Sequence, residues 1–242
     1  MKRPIALALI CTAIVAPGAC RERPGPEMQV APEPSDWIMP PLIDAVAIAG
    51  GDLIFRGQAA PLGRVAVDAP AGQAYAAAVD AAGRFELRIP RPGQDTLFVV
   101  EARTGQVSYP APYRLLVAAD PAGPTALLSV GAPTRRLDPG PSLDAIDSDG
   151  RAAFLSGRAL PGTAVEIGPG RVPGVRVAPD GRWSVAIPGT GSAPVRVGGI
   201  DYLRPSGAAG AEGALERLGS GWRIRWSGPG GSRQTTWFPD RQ

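Results

Sequence analysis

An internal repeat constrains the fold of this chain more than any other feature of its sequence. Residues 41–67 recur 100 positions later, and the matched pairs are small, turn-forming or apolar: Pro41/Pro141, Gly50/Gly150, Gly57/Gly157, Pro61/Pro161 and Val65/Val165. The offset then becomes 98, where residues 83–85 align with 181–183, and it returns near 109, where 113–117 align with 222–226. The repeat predicts two modules of one fold, over residues 41–138 and 140–242.

Period-two alternation within each copy predicts the kind of module. Phe85, Leu87 and Ile89 alternate with Glu86 and Arg88, and residues 183–187 show the same pattern. Such alternation is typical of strands with one face buried against a second sheet. The runs are short and are punctuated by many of the 32 glycines and 28 prolines. We therefore expect an all-β chain of two tandem antiparallel β-sandwiches, each with roughly seven strands.

One segment is ambiguous on composition alone. Residues 71–82 are rich in alanine, which favours a helix. Their counterpart, residues 173–179, combines prolines and valines, which disfavour a helix. The repeat therefore predicts strands in both places.

The central part of each copy resembles a known group of modules. Gly57, Pro61 and Val65, followed by the run 83–90, are spaced as in the bacterial Ig-like and carboxypeptidase-regulatory-like modules, and residues 157–165 and 180–185 are similar to them as well. The resemblance implies Ig-like β-sandwiches that carry no peptidase site. Such modules act as spacers, adhesin stalks or binding modules.

The N-terminus has the pattern of an export signal. Lys2 and Arg3 precede an apolar run over 5–16, which is too short to span a bilayer and suits a signal peptide over residues 1–19. Residues 18–20, ending in Cys20, resemble a bacterial lipoprotein box, which implies acylation of Cys20 and anchoring to a membrane through the N-terminal lipid. Ordinary signal-peptidase cleavage is the alternative. In the lipoprotein family the following residue, here Arg21, implies sorting to the outer membrane.

Residues 20–40 form a proline-rich tether of extended character.

The composition of the remaining chain excludes several functions. The chain has no histidine, and its two cysteines, Cys11 and Cys20, both precede the modules, so histidine-dependent hydrolysis and thiolate or histidine metal sites are excluded there. The net charge of +3 without a basic run argues against nucleic-acid binding. We expect no catalytic residue, cofactor or metal.

Two clusters are candidate sites. Asp144, Asp147 and Asp149 could hold Ca²⁺ between the modules, but their spacing is not that of a Ca²⁺-binding loop, and a solvated turn is the preferred interpretation. Trp222 and Trp226, with Trp237, could form an aromatic ledge for sugars, but core positions are preferred for Trp222 and Trp226.

Two further expectations concern packing. Trp183 and Phe85 each begin an alternating strand after a Gly-Arg turn, so they are predicted to be core residues of their modules. Residues 134–141 carry few apolar side chains, which predicts a linker between modules that unfold independently.

The predicted function follows from these features. It is that of a non-catalytic, envelope-anchored binding or structural protein whose partner is an unknown envelope protein or glycan. The alternative is a carbohydrate-binding or adhesin-type module that uses the aromatic side chains of the second module.

Overall fold

A computed structural model describes residues 39–168, 172–188, 194–202, 211–228 and 231–241 of the chain. Its regular elements are β-strands, and all named strand pairs are antiparallel. The expected all-β class is confirmed. Residues 71–82 and 173–179 contain strands and no helix, as the repeat predicted.

The first repeat contains nine strands in two sheets. They are β1 (Leu42–Ala49), β2 (Asp52–Gln58), β3 (Arg64–Asp68), β4 (Ala74–Ala78), β5 (Arg84–Pro90), β6 (Thr96–Thr104), β7 (Val107–Val117), β8 (Thr125–Ser129) and β9 (Arg135–Arg136). One sheet has the order β1-β2-β5 and the other β4-β3-β6-β7-β8-β9. The inward-facing apolar side chains of the two sheets form one core.

The described residues of the second repeat contain ten strands, also in two sheets. They are β10 (Leu143–Ser148), β11 (Ala152–Arg158), β12 (Ala164–Gly168), β13 (Val172–Arg176), β14 (Arg182–Pro188), β15 (Val195–Val197), β16 (Ile200–Tyr202), β17 (Leu215–Arg217), β18 (Gly221–Ser227) and β19 (Arg233–Pro239). The sheet orders are β14-β11-β10-β19-β18-β17 and β13-β12-β15-β16. A second core lies between these sheets.

The two repeats share their first strands down to local irregularities. β1-β2-β5 and β10-β11-β14 have the same order, and a register shift falls between Ile43 and Ala45 and again between Leu143 and Ala145. A β-bulge at the same place in both copies is a feature of the shared fold, because it turns the strand and re-aims the next side chain.

The last hairpin differs between the copies. β7 and β8 extend the sheet of β3 and β6, whereas β18 and β19 pair onto β10 in the opposite sheet. The expectation that the two copies superpose throughout is therefore wrong for residues 113–117 and 222–226. Matched alternation of side chains does not specify which sheet a hairpin joins, and the physical reason for the change lies in the contact between the repeats.

Trp183 and Phe85 are buried core residues, as predicted, and each ring lies against a glycine. A Cβ at Gly157 would stand 2.5 Å from the Trp183 ring and 2.0 Å from the Ser142 carbonyl oxygen; at Gly57 it would stand 2.8 Å from the Phe85 ring and 2.1 Å from a carbonyl oxygen. Only glycine lets the ring and the bulged strand approach this closely.

We predict that Gly157→Ala destabilises the protein strongly, because the new methyl group meets backbone and not only a movable side chain. Overpacking of this kind costs about 1–3 kcal/mol or more. Gly168→Ala is the matched control, since a Cβ there has nothing within 4 Å. Urea denaturation measures both. A free energy of unfolding for Gly157→Ala equal to that of Gly168→Ala would contradict the packing described.

Candidate functional site

A third apolar cluster joins the two repeats, and we call it the junction. Its buried members come from β7 and β8 on one side and from β10, β18 and β19 on the other: Leu116, Ala126, Leu128, Ala145, Ile224, Trp226 and Phe238. On β7, β8, β10 and β19 these side chains alternate with residues that point into the cores of the separate repeats. These four strands are thus buried on both faces, and residues 37–242 form one compact unit.

The segment between the repeats is buried and polar. Arg136 is fully buried; its Nε donates to Asp138 Oδ2 at 2.9 Å, and its Nη1 donates to the Pro239 carbonyl oxygen at 2.6 Å. Asp138 also accepts from Arg241 Nε at 3.0 Å and from the backbone N–H of Thr125 at 2.7 Å. The interpretation of 134–141 as a simple linker is therefore wrong, because a segment poor in apolar residues is packed through paired charges.

Asp147 ties the same segment to the second repeat. Its carboxylate accepts hydrogen bonds from the backbone N–H of Thr134 at 3.0 Å, from Thr134 Oγ1 at 2.7 Å and from Thr236 Oγ1 at 2.7 Å. Trp226 Nε1 in turn donates to Thr236 Oγ1 at 3.1 Å. Burial raises the pKa of Asp147, although these hydrogen bonds oppose the shift.

Asp144 has a different environment. It is fully buried and lies between two guanidinium groups, Arg158 Nε at 2.8 Å and Arg182 Nη1 at 3.3 Å. Burial raises its pKa more than the two arginines lower it. Asp149 is exposed and accepts from the backbone N–H groups of Arg151 and Ala152, which lower its pKa.

The three aspartates therefore do not share a site. The preferred solvated turn is correct for Asp149 and wrong for Asp144 and Asp147, whose carboxylates find protein donors that the sequence alone does not reveal. No group of three or more acidic, cysteine or histidine side chains among the described residues is arranged to hold a metal ion. Neither buried carboxylate is among the residues of the groove described below.

The tryptophans of the last hairpin do not form an exposed ledge. Trp226 and Trp237 are buried, which confirms the core position for Trp226, while Trp222 is half-buried with the Arg217 guanidinium 4.7 Å from its ring centroid. A sugar-binding platform requires accessible ring faces. The glycan alternative therefore lacks the aromatic row on which it was based.

A groove between the repeats lies beside the junction. It has a volume of about 700 Å³ and is lined by the start of β1, the end of β8, residues 132–135 and parts of β11, β13 and β14. Most of its lining is apolar, including Met39, Leu42 and Leu127, and three arginines and one aspartate line it as well. A volume of this size suits a small ligand or a peptide segment.

Tyr113 fixes the rim of the groove where the described chain begins. Its hydroxyl donates to the Pro41 carbonyl oxygen at 2.8 Å and accepts from the backbone N–H of Ile43 at 3.3 Å. Burial raises the pKa of Tyr113, so the hydroxyl keeps its proton and its donor role at physiological pH. Sequence reasoning aligned Tyr113 with Trp222 and missed this contact, which depends on a partner 72 residues away.

The predicted lipidation site, Cys20, lies outside the described residues, as do the signal peptide and most of the tether. Within the described ranges no helix is long and apolar enough to cross a membrane. No known protein-family model matches the sequence, and no curated protein matches it.

We predict that the two repeats unfold as one cooperative unit and that Trp226→Ala breaks this coupling. Trp226 fills the junction, and truncation of a buried tryptophan costs about 3–5 kcal/mol. Calorimetry of the wild type should give equal calorimetric and van't Hoff enthalpies, and the variant should give two transitions. Trp222→Ala, on the same strand but half-buried at the edge of the junction, is the milder variant and should retain one transition. Two separate transitions in the wild type would contradict the junction.

A pH series on Asp147→Asn tests the buried carboxylate. The pKa of Asp147 is raised above its ordinary 3.8 in the folded state. Its favourable contribution is therefore complete below that value and is lost as the pH rises through the folded-state pKa. The free energy of unfolding of Asp147→Asn relative to wild type should become more positive between pH 4 and pH 7.

Asp149→Asn is the control for this series, with the opposite sign. The folded-state pKa of Asp149 is lowered, so its contribution is present above the ordinary value and is lost in acid. Relative to wild type, Asp149→Asn should become less stable as the pH rises. Parallel curves for the two variants in urea denaturation would show that Asp147 is not desolvated as described.

Proposed function

We propose that this chain is a non-catalytic binding and scaffold protein of the bacterial cell envelope. In this proposal two Ig-like sandwiches form one rigid body, anchored to a membrane through an acylated Cys20 and the proline-rich tether. The observation that carries the proposal is the junction, since a buried apolar interface and a buried ion network both resist bending between the repeats.

The chemistry of the described residues supports a non-catalytic role. The buried carboxylate of Asp144 accepts hydrogen bonds from two arginines, and that of Asp147 accepts them from two hydroxyls and a backbone N–H group. Each carboxylate thus serves a structural contact. A general acid or base must be within hydrogen-bond reach of a bound substrate. The groove brings arginines and apolar side chains together, a combination that suits binding.

Rigidity has a physical use in an anchored protein. A proline-rich tether is extended and semi-rigid, so it holds a folded body at a distance from the membrane surface. When the body does not bend, its binding surface loses less conformational entropy on association. The resemblance to accessory Ig-like modules, which serve as spacers and binding modules, agrees with this role.

The anchoring half of the proposal predicts that Cys20 is the acylated first residue of the mature chain. Mass spectrometry of the N-terminal peptide should show two or more acyl chains, since one chain alone gives only weak membrane attachment. Cys20→Ser should move the protein from the membrane fraction to the soluble fraction. Cys11→Ser, within the apolar run over 5–16, is the control and should not. An unmodified N-terminal peptide that starts after Cys20 would refute anchoring by lipid.

A further inference from the structure

The groove between the repeats carries more positive than negative charge. Arg135, Arg176 and Arg182 line it, and Asp180 is the one acidic residue of its lining. Asp180 is already engaged in its own turn, where Oδ1 accepts from the backbone N–H of Arg182 at 3.1 Å. Arg182 is paired with Asp144 at 3.3 Å, so the cations of the groove without a close carboxylate among the described residues are Arg135 and Arg176.

Arg135 has hydrogen-bonding capacity that the described residues do not use. Its side chain is 29% exposed, and the acid within ion-pair distance among the described residues is Asp44, at 4.0 Å. Its Nε is buried and has no hydrogen-bond partner in the described part of the chain. A guanidinium group offers five donors that match a carboxylate in a two-point geometry, so Arg135 retains an unused capacity to bind an anion.

The neighbouring arginines add to this field. Burial lowers the pKa of Arg182, and the like charge of Arg135 lowers it further, while Asp144 opposes the shift. Both arginines are part of the groove lining, so their positive charges add in the same place. Arg176 is exposed, and no ion pair joins it to an acid among the described residues. An anion placed here would relieve repulsion as well as form new hydrogen bonds.

The rest of the groove lining is mostly apolar and determines which groups can lie next to the bound anion. Met39, Pro41, Leu42, Pro133 and the Trp183 ring supply apolar walls, and Trp183 is only 4% exposed. A sugar ring stacks on an accessible aromatic face, which this groove does not offer. Leucine and proline side chains of an extended peptide fit apolar walls of this kind.

We propose that the groove binds an extended peptide segment in which a carboxylate lies between apolar residues, with Arg135 and Arg176 receiving the carboxylate. The inference rests on the binding role proposed above and names its ligand class. The partner is therefore a protein with an exposed acidic and apolar segment.

Fluorescence anisotropy of a labelled peptide tests this inference on the full mature chain in detergent. The probe is an acetylated and amidated pentapeptide with glutamate flanked by leucine and proline on each side. We expect saturable binding that weakens as salt is added. The glutamine version of the peptide should bind at least about ten-fold more weakly, as expected when a charged hydrogen bond is lost.

Variants of the protein locate the binding site. Arg135→Gln should weaken binding of the glutamate peptide about ten-fold and leave the glutamine peptide unaffected. Arg176→Gln is the second variant, because its exposed side chain makes no ion pair among the described residues and the fold does not depend on it. Arg151→Gln, exposed and outside the groove lining, is the control and should bind like wild type.

Three outcomes would overturn the inference. These are no binding of the glutamate peptide at millimolar concentration, equal affinity for both peptides, and full affinity in both groove variants. Binding of an oligogalacturonate with no binding of the peptide would assign the groove to acidic glycans and refute the peptide. In each of these cases the acylation of Cys20 and the single unfolding transition still report separately on the proposed scaffold function.

Discussion

The packing of sheet against sheet at the junction is the constraint on which the rest of the structure depends. β7 and β8 bury one face in their own repeat and the other against the second repeat. β10 and β19 do the same from the other side, and β18 adds Ile224 and Trp226 to the contact. Apolar packing alone is not directional. It becomes specific here because the same contact buries Arg136, whose charge is tolerated only where Asp138 and the Pro239 carbonyl oxygen meet it. Sliding one repeat along the other would take the Pro239 carbonyl oxygen away from Arg136 and the Arg241 guanidinium away from Asp138. The polar contacts thus fix the orientation that the apolar ones stabilise.

The same logic explains why two aspartates with raised pKa values are structural. Asp147 lies beneath the segment between the repeats and holds Thr134, and Thr236 links it to Trp226 in the junction. Asp144 neutralises Arg158 and Arg182 on the side of β10 nearer the groove. Loss of either carboxylate would leave buried donors without acceptors, which costs more than the net gain of the original hydrogen bonds. Both carboxylates therefore serve structural contacts inside the protein.

Sequence reasoning found those elements whose determinants are local. Alternation placed β5 and β14 and put Phe85 and Trp183 in the cores, and the repeat rejected a helix over the alanine-rich segment. The junction was missed because its determinants are distant in sequence. A signal did exist, since Leu115-Leu116 and Leu127-Leu128 break the alternation, as expected of strands buried on both faces. Arg136 and the aspartates gave no such signal, because their burial depends on partners up to 103 residues away.

The last hairpin joins a different sheet in each copy, and the contact between the repeats depends on this difference. Had both copies kept the first arrangement, each would present a β7–β8 type face, and the β10–β18–β19 face that packs against it would be missing. In the first repeat the hairpin stays beside β6, so it offers the β7–β8 face and leaves β1 without the added strands. In the second repeat the hairpin lies beside β10 and forms the β10–β18–β19 face. The described part of the second repeat therefore has no counterpart of the β7–β8 face beside β15. Each copy thus supplies one half of the contact, and each half is buried by the other. The groove lies beside this contact, where the start of β1 and parts of β7, β8, β11, β13 and β14 meet, and Arg135, Arg176 and Arg182 are part of its lining.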